Sequence, residues 1–234
     1  MEKIVAALWV PEGQPQAAFN AALLERLPDA LRGAGASRIR INLRDEAVAS
    51  GAQHIQRWQD PQQDAVLQFW LPSANPRFFA AAEAALAAVS GRFAAWLVAE
   101  STIIPNTAHP PAPGERTPGW SQATFLAFRP DLASEQADAH WRDHHTTVAI
   151  ETQANFEYVQ NRVVRPLTSD APAYDAFVEE CFPSEALTDS TAFFDAVGDE
   201  AKFQANLATM MDSCGGFIDF ARIDVIPTSQ HDFA

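Results

Sequence analysis

The densest group of side chains able to transfer protons or bind metals is the run His140-Trp141-Arg142-Asp143-His144-His145. Imidazole titrates near neutral pH, so a histidine set in a pocket can act as general acid or base. Ser134, followed by Glu135 and Gln136, opens a helix that should reach about Thr152 and so carries the run. At ~100° per residue, Ala137, Trp141, Val148 and Thr152 share one face. His145 then lies ~40° from Trp141 on the packed side, and His144 ~60° off on the other. His145 is therefore the candidate acid or base. The alternative is a histidine that closes the helix–sheet interface with one hydrogen bond. His140 and His144 are four apart, a spacing that can chelate a metal from one helix face. A third ligand is needed, and Asp143 points ~100° away from His144. A solvated polar face accounts for the pair, and no metal is expected.

A strand should follow over Phe156 to Arg165, ended by Pro166. Alternation places Phe156, Tyr158, Gln160 and Arg162 on one face and Val159, Asn161 and Val163 on the other. Polar groups in a strand covered on both sides need partners. A pocket between two sheets would supply them. Tyr158, Gln160 and Asn161 could orient a carbonyl or phenol there, or serve as structural hydrogen bonders. Trp141 fits either the core or a pocket wall. Arg129 could hold an anionic ligand or take part in a rim salt bridge. The chain contains no Gly-rich phosphate loop, no Gly-x-Ser-x-Gly elbow and no His-Glu-x-x-His motif. Nucleotide cofactors, serine hydrolysis and zinc proteolysis are therefore poor readings, and no cofactor is expected.

The elements that must position these residues fall into two halves. Prolines 105, 110, 111, 113 and 118, with Gly114 and Gly119, mark a semi-rigid linker. The boundaries read as a first unit over 1–108, a linker over 109–119 and a second unit over 120–234. The first half runs strand (Ile4 to Val10), helix (Phe19, Leu23, Leu27, Leu31), strand (Arg38 to Arg44), strand (Ala65 to Leu71), helix from Asn75-Pro76, strand (Phe93 to Ile104). Ile39, Ile41 and Leu43 alternate with Arg38, Arg40, Asn42 and Arg44, which reads as a half-buried strand. The second half repeats the order: strands over Ala123 to Arg129, Phe156 to Arg165, Tyr174 to Phe182 and Phe217 to Ile226. Helical segments fill Ser134 to Thr152, Thr188 to Val197 and Glu200 to Met211. Two β-α-β-β-α-β units are α+β ferredoxin-like folds. Each leaves one sheet face uncovered, so two in one chain should enclose a shared interior.

The chain has 234 residues, 47% of them hydrophobic, enough to build a core. Its net charge of −14 repels phosphate backbones and anionic lipid, which argues against nucleic-acid and membrane partners. No signal peptide or membrane span is expected, and a cytoplasmic location follows as the default. Cys181 and Cys214 read as reduced, buried thiols.

Trp141-Arg142-Asp143-His144-His145, Tyr158-Val159-Gln160-Asn161 and Tyr174-Asp175-Ala176 together resemble the EthD family over roughly 121–227. The first half is similar only in element order. The resemblance implies a dimeric α+β barrel fold, here built within one chain. It also implies kinship with small monooxygenases, haem-degrading enzymes, isomerases and decarboxylase-like proteins. Haem binding by one of the histidines stays open by analogy alone. The expectation is a small-molecule enzyme of oxidoreductase or related acid/base type acting on an aromatic or polyketide-like compound. His145, Tyr158 and Asn161 would be catalytic, with Trp141, Gln160, Arg129 and His144 binding substrate. The alternative is a non-catalytic ligand-binding protein. A homodimer is also an expectation.

Overall fold

A computed structural model describes residues 1–233; Ala234, the last residue of the expected second unit, lies outside them. The apolar run after Glu2 forms β1 (Glu2–Trp9), followed by α1 (Gln16–Gly33), β2 (Ser37–Leu43), β3 (Ala65–Leu71), α2 (Pro76–Ala87) and β4 (Arg92–Ile104). The second half gives β5 (Trp120–Phe128), α3 (Ser134–His140), α4 (Thr146–Thr152), β6 (Glu157–Pro166) and β7 (Ala176–Phe182). It closes with α5 (Ser190–Phe193), α6 (Glu200–Gly215) and β8 (Ile218–Phe233). Each half orders its strands as a ferredoxin-like sheet, β4-β1-β3-β2 and β8-β5-β7-β6.

The two sheets are joined edge to edge. β2 pairs with β8 through Ile41↔His231, and β4 pairs with β6 through Val98↔Val163. The result is one closed barrel, β1-β3-β2-β8-β5-β7-β6-β4, with every pairing antiparallel. Closure removes the exposed edges that a four-stranded sheet would present. A second copy of the chain is not needed to complete it.

Barrel strands are covered on both faces, which explains the unbroken apolar run of β1. Ile4, Ala6 and Leu8 pack outward under Phe19, Leu23 and Leu27 of α1. Val5, Ala7 and Trp9 pack inward with Trp96, Phe125 and Phe177. The same geometry corrects the reading of β2 as half-buried with a polar outer face. Arg40 and Asn42 point into the barrel. The Arg40 guanidinium meets Glu179 at 2.8 Å, Glu157 at 2.9 Å and Asp232 at 2.6 Å. Asn42 donates to Glu179 at 2.6 Å, and Gln68 and Gln230 donate to the same carboxylate. The attraction of Arg40 and these donors holds Glu179 ionised despite its burial.

Other expectations need adjustment. β8 continues to Phe233 rather than stopping near Ile226, because its last residues form the seam with β2. The helix expected over Thr188 to Val197 shrinks to Ser190–Phe193, capped by Asp189. A 3₁₀ segment, Glu46–His54, fills the β2–β3 connection, where no element was expected. The long helix of the second half is interrupted at Trp141–His145 by a π turn. There the Thr146 N–H bonds the Trp141 carbonyl five residues back, and the Thr146 hydroxyl reaches the same oxygen at 3.1 Å.

Candidate active site

The π turn fixes where the histidines point. Such turns insert one residue into a helix and recur at functional sites. Trp141 and His145 are buried under it, whereas His144 is exposed. The His145 ring packs at a tilt against Phe217 at 4.9 Å, and its Nδ1 lies 3.0 Å from the Ser213 hydroxyl. Burial, reinforced by the nearby His140 and His144, lowers the His145 pKa to about 4. The ring is therefore neutral at physiological pH, able to give or accept a hydrogen bond but weakly basic.

His145 faces a cavity of about 460 Å³. The cavity lies between the helices of the second half and the outer face of its sheet, not between the two sheets as the alternation in β6 suggested. Trp141, His145, Met210, Cys214 and Phe217 form its roof. Phe193 and Phe194 of α5 close one end. Gln53, His54 and Gln56 reach in from the first half. The His54 ring packs at a tilt against Trp120 and Phe193 at 4.7 and 5.3 Å, and its Nε2 lies 3.1 Å from the Leu187 carbonyl. The first half thus supplies part of the wall. Its own helix–sheet layer is packed with Phe19, Leu23, Leu31, Phe79 and Leu86.

The floor is built by strand register. Gln122 of β5, Glu180 of β7 and Tyr158 of β6 lie side by side across three strands. Thr124 and Val178 form the next row. Tyr158 is almost fully buried, and its hydroxyl accepts from the Gln160 amide at 2.8 Å. Gln160 also donates to the Thr146 hydroxyl at 2.8 Å. Gln160 therefore steadies Tyr158 and does not line the cavity. Burial, with Glu180 nearby, raises the Tyr158 pKa further, so its proton stays on.

Besides Gln160, three expected site residues lie elsewhere. Asn161 is fully buried but faces the barrel interior, opposite in parity to Tyr158, and its amide has no protein partner among the described residues. Arg129 sits outside the cavity, donating to Asp131 at 2.6 Å and to the Gly215 carbonyl at 2.8 Å. His144 packs edge-on against His140 at 4.9 Å, while His140 Nε2 lies 3.0 Å from the Ser213 carbonyl. Among the described residues no group of three or more His, Cys, Asp or Glu side chains is placed to hold a metal ion. Cys181 is buried in the barrel, whereas Cys214 opens partly to the cavity, where burial pushes its thiol up to about 12.

Sequence reasoning missed Glu180. It is 7% exposed, lines the cavity and has its pKa raised to about 7 by burial. The signal was the pair Glu179-Glu180 inside an otherwise apolar strand, where alternation must send the two carboxylates to opposite faces. A second cleft, of about 500 Å³, opens at the barrel end beneath the proline-rich stretch. Its buried charges pair with one another, Lys3 with Glu100 and Arg40 with Glu157 and Asp232. It offers less free chemistry than the His145 cavity.

Two ferredoxin-like sheets closed into one barrel, with a cavity under the helices of one of them, define a single-chain version of the dimeric α+β barrel. Residues 129–221, within the second half, match the EthD domain. An anthrone oxidase-like protein shares the fold with a TM-score of 0.57 at 8% identity, covering 99% of this chain and 92% of that one. A provisionally assigned monooxygenase from Lactobacillus acidophilus NCFM aligns with a TM-score of 0.49 at 9% identity, covering 100% of this chain and 95% of that one. No functionally curated protein matches the sequence. Among the described residues no helix is long and apolar enough to cross a membrane.

Proposed function

We propose that the chain is a small-molecule enzyme that carries out an acid/base reaction on an aromatic organic compound in the His145 cavity. The observation that carries this reading is the cavity itself. Its walls are mostly aromatic and aliphatic, and a few polar groups converge on its floor, the Thr124 hydroxyl without a partner among the described residues. A planar ring system of two or three fused rings suits its volume and walls. The reaction class is abstraction of an acidic proton from the substrate, leaving a delocalised carbanion or phenolate. Dioxygen is the oxidant that a monooxygenase-type outcome would then consume; isomerisation, dehydration or decarboxylation would need none. The oxidase-like description of the fold neighbour agrees with the first of these. His145 and Tyr158 contact the substrate as neutral hydrogen-bonding groups, and Trp141 supplies an apolar wall.

The test uses 2-tetralone, a bicyclic aromatic ketone with an acidic C–H next to its carbonyl. The protein should speed exchange of that hydrogen for deuterium in D2O, followed by proton NMR. His145→Ala should slow the exchange while the fold persists by circular dichroism. Binding of the ketone with no exchange above the buffer rate would favour a ligand-sequestering protein instead.

A further inference from the structure

We propose that Glu180, rather than His145, accepts the proton from the bound substrate, with Thr124 and Gln122 receiving the substrate oxygen. This rests on the reading of the cavity as an active site. Glu179 and Glu180 are neighbours in one strand and both buried, yet they are treated oppositely. Glu179, inside the barrel, is met by Arg40, Asn42, Gln68, Ser121 and Gln230. Glu180, on the outer face, has one hydrogen bond among the described residues, from Asn155 at 3.0 Å. Its second oxygen has no partner among the described residues. Among the described residues neither lysine nor arginine lines the cavity. Burying a carboxylate that is short of partners is costly, and the fold shows at Glu179 how such a group is satisfied when its role is structural.

A second polar group is left short beside it. The Thr124 hydroxyl lines the same cavity, is buried, and has no hydrogen-bond partner among the described residues. Gln122 lies directly across from Glu180, and Thr124 diagonally across. A free carboxylate oxygen and an unpaired hydroxyl on one floor form a complementary pair. The first can take a proton, and the second can donate to the oxygen on which negative charge develops.

The other titratable groups facing the cavity are His54, His145, Tyr158 and Cys214. Burial lowers both histidines and raises the phenol and the thiol, so each is neutral near pH 7. Glu180, raised to about 7, is the one that changes state there. In the step, the Glu180 carboxylate takes a proton from an acidic C–H or O–H and becomes the carboxylic acid. The electron pair of the broken bond stays on the substrate as an enolate or phenolate. Its oxygen accepts from the Thr124 hydroxyl and the Gln122 amide.

Two measurements test this. Deuterium exchange of 2-tetralone by the wild type should rise with pH through a midpoint near 7. Glu180→Gln should lower it by roughly 10²- to 10⁴-fold, with partial recovery in Glu180→Asp. Separately, 2-naphthol binding, read by its fluorescence, should strengthen roughly tenfold as Glu180 ionises, and this pH dependence should vanish in Glu180→Gln. Unchanged exchange in Glu180→Gln, or naphthol affinity in the wild type that ignores pH from about 5.5 to 8.5, would overturn the assignment. Glu180-dependent naphthol binding without 2-tetralone exchange would support Glu180 as the ligand's proton partner and overturn the enzymatic reading.

Discussion

Replacing Glu180 with glutamine should make the protein more stable at alkaline pH and leave it nearly unchanged at acid pH. The pKa of this carboxyl is about 7 in the folded chain against an ordinary 4.5, with burial as the cause. Between those values the folded state holds a proton that the unfolded chain has released. Folding stability therefore falls as pH rises through this window. The gap corresponds to ~3 kcal/mol, fully lost above about pH 7. Glutamine keeps the shape and never ionises. His145 runs the other way. Its pKa is about 4 when folded against an ordinary 6.5, so stability is gained as pH rises across that range. From about 4.5 to 6.5 the two effects oppose, and the wild type alone should look nearly flat. The difference between wild type and Glu180→Gln isolates the carboxyl. Urea unfolding at about pH 5 and pH 8 is the assay. The midpoint of the variant should exceed that of the wild type by roughly 1 M at the higher pH and by much less at the lower. A difference that is the same at both would refute the reasoning, because it would mean that Glu180 titrates alike in both states.

Thr124→Val should stabilise the fold by ~1 kcal/mol in the same urea assay, because it removes a buried hydroxyl that lacks a partner, while slowing 2-tetralone exchange about tenfold. His145→Gln should remove the acid-side loss: between pH 7 and pH 4 the wild type should lose ~3 kcal/mol more than the variant, in thermal melts at each pH. Arg40→Ala should cost ~3–5 kcal/mol, since it strands Glu179 in the barrel. Gly119→Ala should also destabilise the chain in thermal melts, because Gly119 sits at φ +91° and an added Cβ would lie 2.1 Å from the Phe182 carbonyl oxygen.

The strand and helix order was readable because it rests on local periodicity and on prolines and glycines that stop elements. The seams were not. Nothing local in residues 227–233 says that they pair with β2, since that partner lies almost the whole chain away. The same gap hid the role of Arg40, whose alternation with Ile39 and Ile41 looks solvent-facing until the barrel closes around it. At the cavity, the family-like spacing marks Trp141, His145 and Tyr158, and all three line it. Asn161 faces the barrel interior, as alternation opposite Tyr158 already sets it. Which side held the cavity depended on helix packing that strand parity does not reveal. Glu180 went unread because a glutamate pair in a strand looks like surface, and only burial on both faces turns it into a group with altered proton affinity.

A crystal structure of the protein soaked with 2-naphthol would show whether Glu180 and Thr124 hold the ligand oxygen. The ring should lie under Trp141 and His145, with its oxygen within hydrogen-bonding distance of Glu180 and Thr124. A naphthol seated only in the barrel-end cleft beside Arg40 and Trp70, with the His145 cavity empty, would contradict it.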